Sequence, residues 1–104
     1  MTIQFNTDKN LTVHENFKNK LSAEFTNELS RFSDNITRLE VHLSDENGQK
    51  SGKNDKRCLL EARMEGRQPV VVTADADSHD LAVNKAIEKL KASLDSIVGK
   101  LRQY

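Results

Sequence analysis

Residues 36–44 read Ile-Thr-Arg-Leu-Glu-Val-His-Leu-Ser, and this stretch decides the fold. Its apolar and polar side chains alternate, with Leu39, Val41 and Leu43 on one side and Arg38, Glu40 and His42 on the other. A period of two residues is typical of a strand that buries one face and exposes the other. The stretch therefore predicts a sheet with one apolar face and one solvent-facing face.

The segment before this strand predicts a strand followed by a helix. Residues 2–6 alternate with Ile3 and Phe5 on one side, as in a short strand. Thr12 and Glu15 have the spacing of a capping box at a helix start. The helix that follows has one apolar stripe at helical period, formed by Val13, Phe17, Leu21, Phe25, Leu29 and Phe32, and residues 33–35 end it.

Two further strands are predicted after residue 44. Residues 45–56 are polar and contain Gly48 and Gly52, which predicts a flexible loop. Residues 57–65 form a third strand whose apolar face carries Cys58, Leu60, Ala62 and Met64. After a turn at residues 66–69, residues 70–74 form a fourth strand, and its run of three valines leaves its orientation open.

The chain ends in a long amphipathic helix, predicted from Asp77 to Tyr104, with Asp77 or Ser78 as its cap. Its apolar stripe consists of Val83, Ala86, Ile87, Leu90, Leu94, Ile97, Val98 and Leu101. A second edge of the cylinder is cationic, because Lys85, Lys89 and Lys100 fall within about 60° of one another at 100° per residue. Two more basic residues lie on the other side of the stripe, near Glu88 and Asp95: Lys91 and Arg102.

The order β-α-β-β-β-α predicts an α+β fold. A helix joins the first two strands, so they should be parallel with a right-handed crossover, and the remaining strands should be antiparallel hairpins. The economical arrangement is a single domain over residues 1–104, with two helices packed on one face of a four-stranded mixed sheet. The other face stays open to solvent and carries Arg38, Arg57 and Arg63 together with Glu40 and Glu61.

Composition bounds the class of protein. The chain has 104 residues, a formal net charge of zero and a single cysteine, so an internal disulfide cannot form. No apolar run reaches the roughly 20 residues that cross a bilayer, and residues 1–9 lack the pattern of a signal peptide. We therefore expect a cytoplasmic location and no membrane contact.

Catalytic and metal-binding signals are weak. Cys58 lies on the apolar face of its strand, which favours a core position over a nucleophile. The three histidines are scattered over separate elements, and Asp75, Asp77 and Asp80 are better explained by a helix start than by a metal site. We expect no enzymatic activity, no metal, no cofactor and no small-molecule substrate.

Three strings of the sequence resemble a known family. Residues 36–47, residues 55–63 and the Ala-Ile-Glu-Lys-Leu of residues 86–90 look like the second strand, the third strand and the last helix of that family. On these strings and the element order, the chain resembles the short form of the ribosome hibernation-promoting factors, also described as ribosome-associated inhibitors. The similarity spans nearly the whole chain and is strongest over residues 36–101.

The resemblance implies a partner and a mechanism. Members of that family bind the small ribosomal subunit in the channel used by messenger and transfer RNA, and they block translation. For this chain we therefore expect contacts with ribosomal RNA, made mainly to the phosphate backbone because the second and third strands lack aromatic side chains that stack on bases. The candidate RNA-binding residues are Lys85, Lys89, Lys100, Lys91, Arg102, Arg38, Arg57 and Arg63.

Other interpretations of the same residues remain open. The lysines can form an ordinary solvated helix face, and the arginines can pair with glutamates across the strands. Residues 1–46 carry five basic and eight acidic residues, whereas residues 84–104 carry five basic and two acidic ones, an excess of 5 − 2 = +3. This balance favours the alternative of a protein-interaction or self-associating module on the same scaffold. We expect a monomer or a weak dimer.

Overall fold

The described chain follows the predicted order of strands and helices. The computed structural model describes residues 1–7, 14–45 and 55–101, with the backbone alone at positions 100 and 101. The elements are β1 (Thr2–Thr7), α1 (Glu15–Glu28), a 3-10 turn (Ser30–Phe32), β2 (Arg38–Asp45), β3 (Lys56–Arg63), β4 (Val70–Ala76) and α2 (His79–Leu101).

The four strands form one mixed sheet in the order β1-β2-β3-β4. β1 is parallel to β2, as the helical crossover predicts, and the pairs β2–β3 and β3–β4 are antiparallel. The register places Leu39 opposite Ala62 and Val41 opposite Leu60, so buried side chains of neighbouring strands share one face. The predicted α+β class and the predicted strand directions are confirmed.

Both helices contribute to a single hydrophobic core on that face. Leu21 and Phe25 of α1 are fully buried with Leu90 and Leu94 of α2. α2 lies against β3 and β4, whereas the ring of Phe25 lies 6.4 Å from the ring of Phe5 in β1. Among the described residues, no helix combines the length and the apolarity that a membrane crossing needs.

The first helix is shorter than its apolar stripe predicted. Its N-cap is His14 and its last residue is Glu28, so Leu29 is the C-cap and Phe32 belongs to the 3-10 turn. Both side chains are nevertheless buried, because the tighter turn keeps them on the core side. The predicted capping residue Thr12 and the stripe residue Val13 lie outside the described residues.

Four boundaries differ from prediction around β3 and β4, and the first is the end of β3, which is Arg63 and not residue 65. Asp45 and Lys56 are not loop residues, since they pair with each other as the last and first residues of β2 and β3. β4 continues to Ala76, so Asp75 is a strand residue and not part of a helix start.

Alternation along β4 also settles its orientation, because Ala74 and Ala76 are buried whereas Val71 is 51% exposed.

Ser78 caps α2, and its removal gives a testable stability change. Its hydroxyl accepts a hydrogen bond from the backbone N–H of Leu81 at 3.2 Å. We expect Ser78→Ala to lower the free energy of unfolding in urea by about 1 kcal/mol, because a helix N–H loses its partner. Ser96→Ala, at an exposed position within α2, is the control and should cause no such loss. Equal stability of Ser78→Ala and the wild type would contradict the capping role.

Candidate nucleic-acid interface

Two of the predicted lysines lie along the outer edge of β4. Lys85 and Lys89 are four residues apart in α2, so they project from the same side of the helix on successive turns. The Lys89 ammonium donates a hydrogen bond to the carbonyl oxygen of Thr73 at 2.7 Å, and the Lys85 ammonium donates to that of Asp75 at 3.3 Å. Both residues are exposed, so the two positive charges border solvent.

The charge of this lysine edge, defined by Lys85 and Lys89, is only partly balanced. Among the described residues, neither ammonium contacts a carboxylate oxygen directly. The Asp75 carboxylate interacts with both ammoniums through its charge, but its hydrogen bonds come from the Arg57 guanidinium, at 2.8 and 3.4 Å. Those bonds lower the pKa of Asp75, and the charges of Lys89 and Lys85 lower it further, so this carboxylate stays ionised at neutral pH.

Lys91 lies apart from this edge, as its position on the helical wheel predicts. Its ammonium is 3.6 Å from a carboxylate oxygen of Glu28 in α1 and 3.7 Å from one of Glu88 in its own helix. Its side chain is 25% exposed, which suits a link between the two helices better than a free cation. Asp95, expected near Lys91 and Arg102, pairs instead with Arg31 at 2.7 Å.

Two candidate residues near the end of the chain, Lys100 and Arg102, have side chains outside the described part of the structure. The backbone of Lys100 continues α2, but its side chain lies outside the described part of the structure. Arg102 lies wholly outside the described residues. Their assignment to the RNA-binding surface therefore stays a prediction.

The strand arginines lie on the open face of the sheet and pair with carboxylates. Arg63 lies 3.1 Å from Glu40 and 3.0 Å from Glu61, and Arg38 lies 3.5 Å from Glu40. Register explains the contact between Arg63 and Glu40, which lie diagonally across the two strands because Arg38 is opposite Arg63 and Glu40 is opposite Glu61. The other two pairs each join residues two apart on one strand. The cross-strand pairing that the sequence left open is thus present.

These contacts change the pKa values of two residues on the open face of the sheet, Glu61 and Arg63. A hydrogen bond with Glu40 and then one with Arg63 lower the pKa of Glu61, and the hydrogen bond with Glu61 raises the pKa of Arg63. Glu61 and Arg63 therefore stay charged at neutral pH and partly balance each other. A polyanion that binds there has to displace carboxylates, which the lysine edge does not demand.

Sequence reasoning missed the role of β4 in this site. Thr73 and Asp75 supply the carbonyl oxygens that hold the two ammoniums, and Asp75 also holds Arg57. The available signal was the alternation of Thr-Ala-Asp-Ala at residues 73–76, which extends the strand past Ala74. Among the described residues, no group of three or more His, Cys, Asp or Glu side chains is placed to hold a metal ion.

The fold is shared with two solved structures. The N-terminal domain of Protein Y from Thermus thermophilus superposes with a TM-score of 0.72 at 18% identity, covering 93% of this chain and 99% of that one. A ribosomal subunit interface protein from Coxiella burnetii superposes with a TM-score of 0.72 at 18% identity, covering 95% of this chain and 99% of that one. At this identity the likeness establishes the fold alone.

Comparison by sequence assigns the family. A search of curated proteins gives no significant match. The profile described as "Sigma 54 modulation protein / S30EA ribosomal protein" matches residues 5–102, which include all four strands from Phe5 onward and both helices. The chain therefore belongs to the sigma 54 modulation protein / S30EA ribosomal protein family.

Proposed function

We propose that this protein is a non-enzymatic translation inhibitor that docks on small-subunit ribosomal RNA. It occupies the channel used by messenger and transfer RNA and so keeps the ribosome idle. The observation that carries the proposal is the lysine edge: Lys85 and Lys89 are exposed, adjacent and not paired directly with a described carboxylate. Membership of the sigma 54 modulation protein / S30EA ribosomal protein family supports the ribosome as the partner.

The chemistry of the lysine edge suits RNA phosphates. An ammonium has three donors, so each lysine can keep its bond to a β4 carbonyl and still donate to a phosphate oxygen. The carbonyl bonds hold the two charges in place, which reduces the conformational entropy lost when RNA binds. Contacts of this kind recognise the backbone and not the bases, as an inhibitor of general translation requires.

The strand arginines have a secondary role in this proposal. Arg38, Arg57 and Arg63 each lie beside a carboxylate. The cost of breaking these ion pairs therefore offsets part of the free energy that contacts with RNA phosphates would contribute. Lys91 also lies close to two carboxylates, those of Glu28 and Glu88. Lys100 and Arg102 follow in the sequence and add two positive charges near the C-terminal end of the chain.

A salt series of ribosome pelleting tests the proposal. Small subunits, large subunits and buffer alone are each sedimented with the purified protein between 50 and 200 mM salt. We expect the protein to pellet with small subunits, and two to four phosphate contacts to make its affinity fall roughly 10- to 100-fold over that range. Absence of pelleting with small subunits at the lowest salt would overturn the proposal, as would binding that is indifferent to salt.

Occupation of the channel is tested separately. Small subunits loaded beforehand with messenger RNA and initiator transfer RNA should bind less of the protein than empty subunits do. Equal binding to loaded and empty subunits would place the protein elsewhere on the ribosome. The alternative function, a protein-interaction module, predicts no pelleting under any of these conditions.

A further inference from the structure

Among the residues that the structure describes, lysine side chains and not another strand lie along the outer edge of β4. Within the described part of the chain, β4 pairs with β3 alone, so its far side is a sheet edge. Such an edge presents N–H and C=O groups with which a strand of another molecule can pair. Lys89 and Lys85 donate to two of these carbonyls, those of Thr73 and Asp75.

The composition of β4 would make an uncovered edge prone to self-association. Residues 70–74 read Val-Val-Val-Thr-Ala, a run without charge or proline and with high β-propensity. Val71 leaves 51% of its surface exposed beside the edge. The formal net charge of the chain is zero, so no general repulsion keeps two copies apart. A second copy of this chain is therefore the available partner for the edge.

The geometry of the strand defines how two copies would pair. Because the carbonyls of Thr73 and Asp75 face α2 and not β3, alternate residues 71, 73 and 75 present their backbone groups outward. Two β4 strands can add to each other in antiparallel fashion about a two-fold axis at Thr73, which aligns these outward groups. The lysines oppose this pairing, because they occupy the carbonyls and because the ammoniums of the two copies would face each other.

We propose that Lys85 and Lys89 close the β4 edge to strand pairing with a second copy of this chain. The inference does not rest on ribosome binding. Removal of the two ammoniums uncovers a self-complementary edge, and the protein then dimerises by adding β4 to β4. The two lysines thereby have a structural duty in the free protein in addition to any contact with RNA.

The test uses the variant Lys85→Met/Lys89→Met. Methionine keeps an unbranched side chain and a high helix propensity but cannot donate a hydrogen bond. The matched control, Lys18→Met/Lys20→Met, removes the same two charges from α1. Sedimentation velocity over a concentration series should show the first variant dimerising at a concentration at least tenfold lower than the wild type and the control. Association equal to that of the wild type would overturn the proposal.

Two further measurements locate the surface. Hydrogen exchange of the dimeric variant should show new protection at the amides of Val71, Thr73 and Asp75 when compared with the dilute monomer. Adding Thr73→Pro to the double variant should restore the monomer, because proline is tolerated on an edge and removes an outward donor. Dimerisation of the control to the same degree, or a dimer without protection in β4, would show that the edge is not the surface involved.

Discussion

Replacing Lys85 and Lys89 with glutamate is expected to abolish co-sedimentation with small ribosomal subunits at a salt concentration at which the wild type pellets. Each substitution converts one attraction of about 1 kcal/mol, the value for two unit charges 4 Å apart in water, into a repulsion of similar size. Two sites therefore change the binding free energy by about 4 kcal/mol. At about 1.4 kcal/mol per factor of ten, the affinity falls roughly 10³-fold.

The control for this experiment is Lys18→Glu/Lys20→Glu. It changes the net charge by the same amount, but it does so on α1, where Lys20 lies 3.1 Å from Asp80 at the start of α2. We expect this variant to keep most of its binding, since long-range attraction between separated surface charges is screened at physiological salt. Circular dichroism should show both variants folded, because all four lysines lie in helices and none belongs to the hydrophobic core.

Single substitutions separate the lysine edge from the other helix charges. Lys91→Gln should weaken binding less than Lys89→Gln does, because Lys91 already lies between two glutamates. Equal losses for the two variants, or unchanged pelleting of the folded Lys85→Glu/Lys89→Glu protein, would remove Lys85 and Lys89 from the interface. Lys100→Glu as a single substitution in the wild-type background then asks whether the surface extends along α2 as its sequence position predicts.

Alkylation of Cys58 is expected to be roughly 10³-fold slower in the native protein than in the unfolded one. The side chain is fully buried in the core between the sheet and the helices, and its burial raises the pKa of the thiol to about 12. At pH 8 a thiol with a pKa near 8.5 is about one quarter thiolate, whereas the native thiol is ionised in about one molecule in 10⁴. The thiolate is the nucleophile, so the rate falls by at least this ratio.

Mass spectrometry of a timed reaction with iodoacetamide at pH 8 measures this protection, in buffer and in concentrated urea. The control moves the thiol to the open face of the same sheet, in the variant Cys58→Ala/Thr73→Cys, where it should react in native conditions within minutes. Modification of native Cys58 as fast as that exposed thiol would contradict the buried placement. The experiment thus reports on the core that positions β4 and the lysine edge.

The sequence predicted most of the architecture because burial leaves a periodic trace. Residues 38–45 alternate in the structure as they do in the sequence, and the stripe from Val83 to Val98 is the buried side of α2. The prediction was incomplete where periodicity is weak and wrong where it ends. Three consecutive valines in β4 carry no alternation, and the apolar stripe of α1 runs on into a 3-10 turn that one-dimensional spacing cannot distinguish from an α-helix.

The candidate site was predicted less completely than the fold. A common edge for Lys85 and Lys89 follows from their spacing in a helix, and the structure places both there. Spacing cannot say what an ammonium meets at the end of a flexible four-carbon side chain. That depends on which element lies beside the helix, and the neighbour is the edge of β4.

By itself, the sequence determined the order and direction of the strands, the faces that are buried, and the helix edge on which the lysines lie. These properties follow from local periodicity and from the length of each connection, both of which are written along the chain. Only the tertiary structure decided that the strand arginines are paired with carboxylates while two lysines hold the carbonyls of an edge strand. Such contacts join residues that are distant in the chain, so they exist only once packing has brought sheet and helix together.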